Sequence, residues 1–189
     1  MLVFACGQDD CVEVGVVDEG FHVAEDGVEL HPGMLPAAIA ADTTVMDVTL
    51  LPEVLERWNV WLSRDGVART VFVVAEEGEE PRAVVGVGYV PASGSDLTGE
   101  GDPAGIAALD YAEDGEVLYG EITLSSDYAY DRPTMVQALS HEIGHLVALA
   151  DDPGPPTTVD LRSVMSSPLD PLGELTRHDF DLLLPYLPE

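Results

Sequence analysis

The stretch ALSHEIGHLVALADD, residues 138–152, decides how the rest of this chain is read. With Met135 before it, Ala138, Leu139, Ile143, Leu146 and Leu149 recur at helical spacing. His141 and His145, two of only five histidines in the chain, stand four residues apart, and Glu142 follows the first of them. On an α-helix such positions are about 40° apart around the axis, so both imidazoles project from one face. At that separation they can reach one ion at roughly 2.0–2.1 Å, the length of a zinc–nitrogen bond. Glu142 falls at the edge of the same face, placed to hold a water on the metal without ligating it. Three polar groups on a helix otherwise built of Leu, Ile, Val and Ala need something to satisfy them, and a zinc ion does. Two exposed or internally satisfied histidines are the bland alternative.

The flanks set the limits of this helix. Upstream, Thr134 and Gln137 have the spacing of a capping box, with Pro133 just outside it. Downstream, DDPGPPTTVD (151–160) is a rigid loop that ends it. Thr176 and Asp179 form a second capping box, opening a short C-terminal helix with Phe180, Leu183 and Leu184 on its apolar face. Another helix runs from Pro52 to about residue 63, with Val54, Leu55, Trp58, Trp61 and Leu62 on one side. Its tryptophans are expected to anchor a core rather than line a binding box.

Strand signals occupy residues 43–50 (TTVMDVTL), 70–77 (TVFVVAEE) and 83–90 (AVVGVGYV). GIAALDY (105–111) and GEITLSSD (120–127) flank a turn, giving strand, turn and strand. Weak alternation after Cys11, in VEVGVV and then FHVAEDGVEL, predicts a hairpin turning near residues 18–20. Residues 91–103 are turn chemistry throughout, a surface loop that lacks the lysine and glycine spacing of a phosphate cradle.

Charge narrows the partners. Thirty-six acidic residues face seven basic ones, all arginine, for a formal charge of −29. That field repels phosphate backbones and anionic headgroups, which excludes nucleic acid as an expected partner. The acids are dispersed, so solubility, a saline or calcium-rich habitat and a taste for cationic substrates all remain open. Calcium could bind such a surface, but no stretch has EF-hand spacing and no calcium site is assigned. With 189 residues and no apolar run of spanning length, the chain suits one globular domain, expected to be monomeric.

The only cysteines are Cys6 and Cys11. MLVFACG resembles the tail of a bacterial lipoprotein signal, apolar residues then Ala5, Cys6 and Gly7, though Phe4 is bulky and the basic region is missing. Cys6 is therefore a lipidation candidate; a Cys6–Cys11 disulfide, a longer reading frame and chance are the alternatives. Residues 1–12 are read as an export or lipoprotein-like stub and 13–189 as the catalytic domain. The expected location is extracellular or anchored to the cell envelope, with membrane contact only through a lipid.

Asp151 stands six residues after His145, and SVMSS follows at 163–167. Together with the helix motif, this resembles the metzincin zinc proteases, whose signature H-E-x-x-H-x-x-G-x-x-H/D precedes a methionine turn. GEITLSSDY and LTRHDFDLL resemble matrixin-type members, while the aspartate is closer to snapalysin-like ones; the resemblance is specific from about residue 105 to 184. It implies His141, His145 and Asp151 as zinc ligands, Glu142 as general base and Met165 as the turn methionine. The alternative register would hand the third ligand to Asp152. The family glycine is Ala148 here, which would then take a positive φ at a cost of roughly 1–2 kcal/mol. No tyrosine follows Met165 closely, so the oxyanion stabiliser is unassigned. His22, His31 and His178 lack ligand spacing and are read as surface or loop residues.

The resemblance also implies an α+β fold: a twisted, mostly parallel mixed sheet with an antiparallel edge strand, two long helices and a C-terminal helix. The edge strand is taken as Glu121, Ile122, Thr123, Leu124 and Ser125, offering its backbone to an extended peptide substrate. The function expected is a zinc endopeptidase acting on proteins or peptides. The competing class is a non-catalytic, acidic extracellular binding protein holding a structural metal.

Overall fold

The computed structural model describes residues 3–6, 11–14, 20–24, 27–33, 35–42, 46–47, 49–88, 104–126, 131–151, 163–165 and 173–188, with backbone only in the first two segments. The fold is α+β. Five strands form a mixed sheet in the order β6-β7-β5-β3-β4: β3 Ala37–Ala41, β4 Phe72–Val74, β5 Ala83–Gly88, β6 Gly105–Tyr111 and β7 Val117–Ser125. A hairpin of β1 Val3–Cys6 and β2 Cys11–Val14 extends the sheet beyond β6. The pairings β1–β6, β3–β4, β3–β5 and β5–β7 are parallel; β1–β2 and β6–β7 are antiparallel.

Two helices cover the sheet and each other. α1, Leu50–Leu62, buries Leu50, Leu51, Val54, Leu55, Trp58, Trp61 and Leu62. Both tryptophans are core, as the helical spacing predicts, and Trp58 Nε1 donates to Ser140 O of the second helix at 3.1 Å. α2, Arg132–Leu146, packs across β6 and β7. Its N-cap is Asp131, whose side chain accepts from Thr134 N at 2.9 Å, with Pro133 inside the first turn. The expected Thr134–Gln137 box is thus displaced by three residues, because proline needs no hydrogen-bond acceptor and fits where helix N–H groups are unpaired anyway. α3, Arg177–Leu183, starts at the expected Thr176–Asp179 capping box and passes into a short 3-10 turn, Leu184–Tyr186. No described helix is long and apolar enough to cross a membrane.

Three strand expectations are corrected. The sheet uses β3, an alanine-rich run, whereas Leu50 of the run at 43–50 begins α1 and residues 43–45 and 48 are outside the described set. Among the described residues, 12–14 do not pair with 21–24 or 27–30: β2 pairs with β1, and Val23 bridges Glu29 across Gly27, whose φ is +85°. Most consequentially, Glu121, Ile122, Thr123, Leu124 and Ser125 are no edge. They pair with Val84–Gly88 of β5 on one side and with residues 105–108 of β6 on the other. An interior strand has no free ladder to offer, so peptide cannot add to β7. The loops expected at 91–103 and 152–160 lie outside the described residues.

Candidate metal centre

The site is assembled by α2 and the two segments that follow it. α2 places His141 and His145 one turn apart, both fully buried, their ring planes nearly perpendicular at 86°. The chain then leaves the helix axis at Ala148, with φ +63°, the one non-glycine residue described with positive φ. That turn brings Asp151, 4% exposed, back to the histidines.

His141, His145 and Asp151 offer ligand atoms that all lie within 4.8 Å of one another. His141 Nε2 is 3.2 Å from His145 Nε2 and 3.1 Å from Asp151 Oδ1, and His145 Nε2 is 3.8 Å from the same oxygen. The circle through three atoms so spaced has a radius of about 2.0 Å, matching a zinc–nitrogen or zinc–oxygen bond. Asp152 lies outside the described residues.

The other ring nitrogens settle which atoms carry protons. His141 Nδ1 lies 2.9 Å from Val164 O and His145 Nδ1 lies 2.8 Å from Leu149 O. A carbonyl only accepts, so both Nδ1 atoms donate and both neutral rings turn the Nε2 lone pair inward. Two lone pairs and a carboxylate oxygen then face one point. Asp151 Oδ1 has no properly oriented hydrogen-bond partner despite its 3.1 Å approach to His141. Three convergent acceptors repel unless a cation stands among them, and ligating imidazoles held by backbone carbonyls are the usual arrangement around a metal.

Without a metal, a proton is the substitute. Burial disfavours charge on His141, but hydrogen bonding and attraction to Asp151 outweigh it and raise its pKa above the ordinary imidazole range. Burial would likewise raise Asp151, yet the hydrogen bond and charge of His141 hold its carboxyl far below the usual carboxylate range. Burial drives His145 well below an ordinary histidine. Glu142 is 1% exposed; burial pushes its pKa up to about 8, and its Oε2 has no hydrogen-bond partner among the described residues.

Met165, 1% exposed, lies against α2 at Gly144, where a Cβ would overlap its Sδ and stand 2.9 Å from its Cε. The segment carrying it holds His141 through Val164 O and is braced by Val164 N donating to Glu174 O and Met165 N to Ser163 Oγ. Met165 is therefore packed beneath the two-histidine turn, while Cys6 is remote in register, its backbone paired with Cys11 and Asp110.

Two participants escape a reading of the sequence. Gly105, at the start of β6, abuts Glu142: a Cβ there would lie 2.7 Å from Oε1. His22 is not a surface residue; it is 1% exposed, with Nε2 2.9 Å from His145 Nδ1. The alternation in FHVAEDGVEL puts Phe21 and Val23 on the apolar side, but His22 and Ala24 are the buried pair. A histidine that satisfies another histidine is buried on polar grounds, which hydropathy does not register. Of the other two, His178 is exposed on α3, and His31 is half-buried with its ring stacked on Tyr186. No family model matches the chain, and no curated protein matches it either.

Proposed function

We propose that the protein is a zinc-dependent endopeptidase of metzincin type, with His141, His145 and Asp151 as ligands and Glu142 as general base. The observation that carries this reading is the convergence of two imidazole Nε2 atoms and a carboxylate oxygen on one point, beside a buried carboxylate that takes no part in the triangle. A structural ion needs the triangle; it does not need Glu142. The methionine packed under the histidine turn and the positive φ at Ala148 support the same family.

Zinc bound here would lower the pKa of its water to about 7 and polarise a peptide carbonyl. Glu142 takes the proton of the attacking water through its unpartnered oxygen and returns it to the leaving amine. Burial raises the Glu142 carboxyl to about 8 with no cation beside it; a zinc ion held at the triangle would favour its ionised form, which is the form a general base needs. Val164 O and Leu149 O keep the two imidazoles neutral and oriented throughout. The proposed substrate contact is the start of β6, residues 105–106, which lie beside Glu142 and outside the Ala107–Asp110 stretch that β1 pairs. Export remains part of the proposal, resting on the N-terminal sequence; a lipid at Cys6 would go with loss of residues 1–5 and so of most of β1.

The test pairs zinc content with casein hydrolysis, with and without chelator, in three proteins. The wild type should bind one zinc and cleave. Glu142→Gln should keep zinc and lose activity by several orders of magnitude, and Asp151→Ala should lose both. Zinc bound with no peptidase activity in the wild type would favour the structural-metal binding protein.

A further inference from the structure

We propose that His22 is a positioning residue of this centre: its ring fixes the tautomer and plane of His145, and its main chain fixes the turn that delivers Asp151. The inference rests on the metal reading above and extends it to a residue far outside the motif.

The ring argument follows from hydrogen counting. His145 Nδ1 faces Leu149 O at 2.8 Å and His22 Nε2 at 2.9 Å. The carbonyl requires Nδ1 to carry the hydrogen, and the metal requires Nε2 to be bare. His22 Nε2 must then accept from the same N–H, so the proton of the neutral His22 ring sits on Nδ1. The two rings are 4.9 Å apart and tilted by 47°, so they do not stack, and one nitrogen of each lies within hydrogen-bond distance of the other. Among the described residues His22 Nδ1 has no partner, and the residue is 1% exposed. A leucine or phenylalanine would fill that space without leaving a polar atom unpaired. What an apolar side chain lacks is the lone pair on His145, and that is what the histidine contributes.

The main chain acts on the same target. His22 N donates to Ala148 O at 2.8 Å, Ala150 N donates to Gly20 O at 2.9 Å, and Phe21 and Leu149 form an antiparallel bridge. Residues 20–22 therefore clamp residues 148–150, the stretch between the C-cap Val147 of α2 and Asp151. Ala148 keeps its positive φ because this clamp over-determines it. His22 O in turn accepts from Leu30 N at 2.7 Å, which ties the clamp to the turn at 27–30. One residue thus supports a ligand from behind and the route to another ligand alongside.

The experiment uses the full chain loaded with zinc. In the wild type, nitrogen-15 NMR of the histidine rings should show the Nδ1–H tautomer for both His145 and His22. His22→Phe keeps the volume and the main-chain clamp but removes the acceptor, and His22→Gln restores an acceptor. Competition against a chelator should show zinc affinity about 10- to 100-fold weaker in His22→Phe, partly recovered in His22→Gln, with the metal-free melting temperature unchanged in both. The cobalt-substituted visible spectrum should shift in His22→Phe alone. An Nε2–H tautomer at His22, or a His22→Phe protein with unaltered affinity and cobalt spectrum, overturns the proposal. So does a melting temperature that falls in the metal-free protein while affinity holds, since His22 is then packing only. If His22→Phe does not fold, the wild-type tautomers decide. A wild type that takes up no zinc defeats the metal reading itself, a separate result.

Discussion

Gly105 and Glu142 are in mutual contact across the fold: a Cβ on the first residue of β6 would stand 2.7 Å from Oε1 and 3.0 Å from Cγ and Cδ of the glutamate. The strand backbone is held by its ladder to Leu124, and Glu142 is fully enclosed, so neither can give way freely. Gly105→Ala should therefore displace the carboxylate. The expected result is a fall in kcat of at least about tenfold with zinc content unchanged, since a displacement on the order of 1 Å is costly to catalysis. Measured turnover equal to wild type would mean that Glu142 is not the base or has room to move.

Gly144 and Met165 define a second tight contact. In an open helix, replacing glycine with alanine stabilises by about 0.5–1 kcal/mol. Here the new methyl meets the methionine sulfur, so Gly144→Ala should destabilise by about 1–3 kcal/mol. Met165→Ala should cost about 2–5 kcal/mol through the cavity it leaves. The double variant should lose less than the sum, because each change relieves the other, with a coupling of about 0.5–3 kcal/mol. Urea unfolding of the four proteins measures it; strict additivity would show that the two side chains do not touch.

Ala148 holds φ at +63°, a conformation in which its Cβ crowds the following carbonyl at a cost of roughly 1–2 kcal/mol. Ala148→Gly removes that strain but adds freedom to the unfolded chain worth about 0.4–1 kcal/mol. The net expectation is a change between about zero and a gain of about 1.6 kcal/mol, with zinc binding retained. Ala148→Val should instead destabilise strongly and release the metal, because a β-branched residue is a genuine outlier there. Thermal unfolding with and without chelator distinguishes the cases, and an Ala148→Gly protein that is clearly less stable would contradict the assigned backbone.

The outer edge of β6 is taken over Ala107–Asp110 by β1, which runs parallel to it. A peptide adding to β6 would compete for those same backbone groups. Deleting residues 1–14 should lower the Michaelis constant for an extended peptide several-fold while leaving the melting temperature nearly unchanged. A drop in melting temperature with an unaltered Michaelis constant would make the hairpin a part of the fold and not a cover for the strand.

Much of the site was legible in the chain because its spacing is local. His141, Glu142 and His145 sit within five residues of one helix, and Asp151 follows within two helical turns of chain. The same holds for α1, whose apolar stripe repeats every turn, and for the Thr176–Asp179 cap, where a side chain meets a backbone three residues on.

What local pattern could not reach was decided by neighbours far along the chain. β3 is made of alanines with little strand preference; it is a strand because β4 and β5 pair with it on both sides. The family resemblance made β7 an edge strand, and nothing in its own residues says that β5 and β6 flank it. Gly105 carries meaning only through Glu142, 37 positions later, and His22 only through His145, 123 positions later. The sequence by itself determined which residues could ligate and which segment would be a helix, since those depend on periodicity within a turn or two. The tertiary structure alone decided which strand lies beside Glu142 and which buried histidine stands behind His145, since such contacts arise from packing and hydrogen-bond satisfaction between segments that share no local pattern.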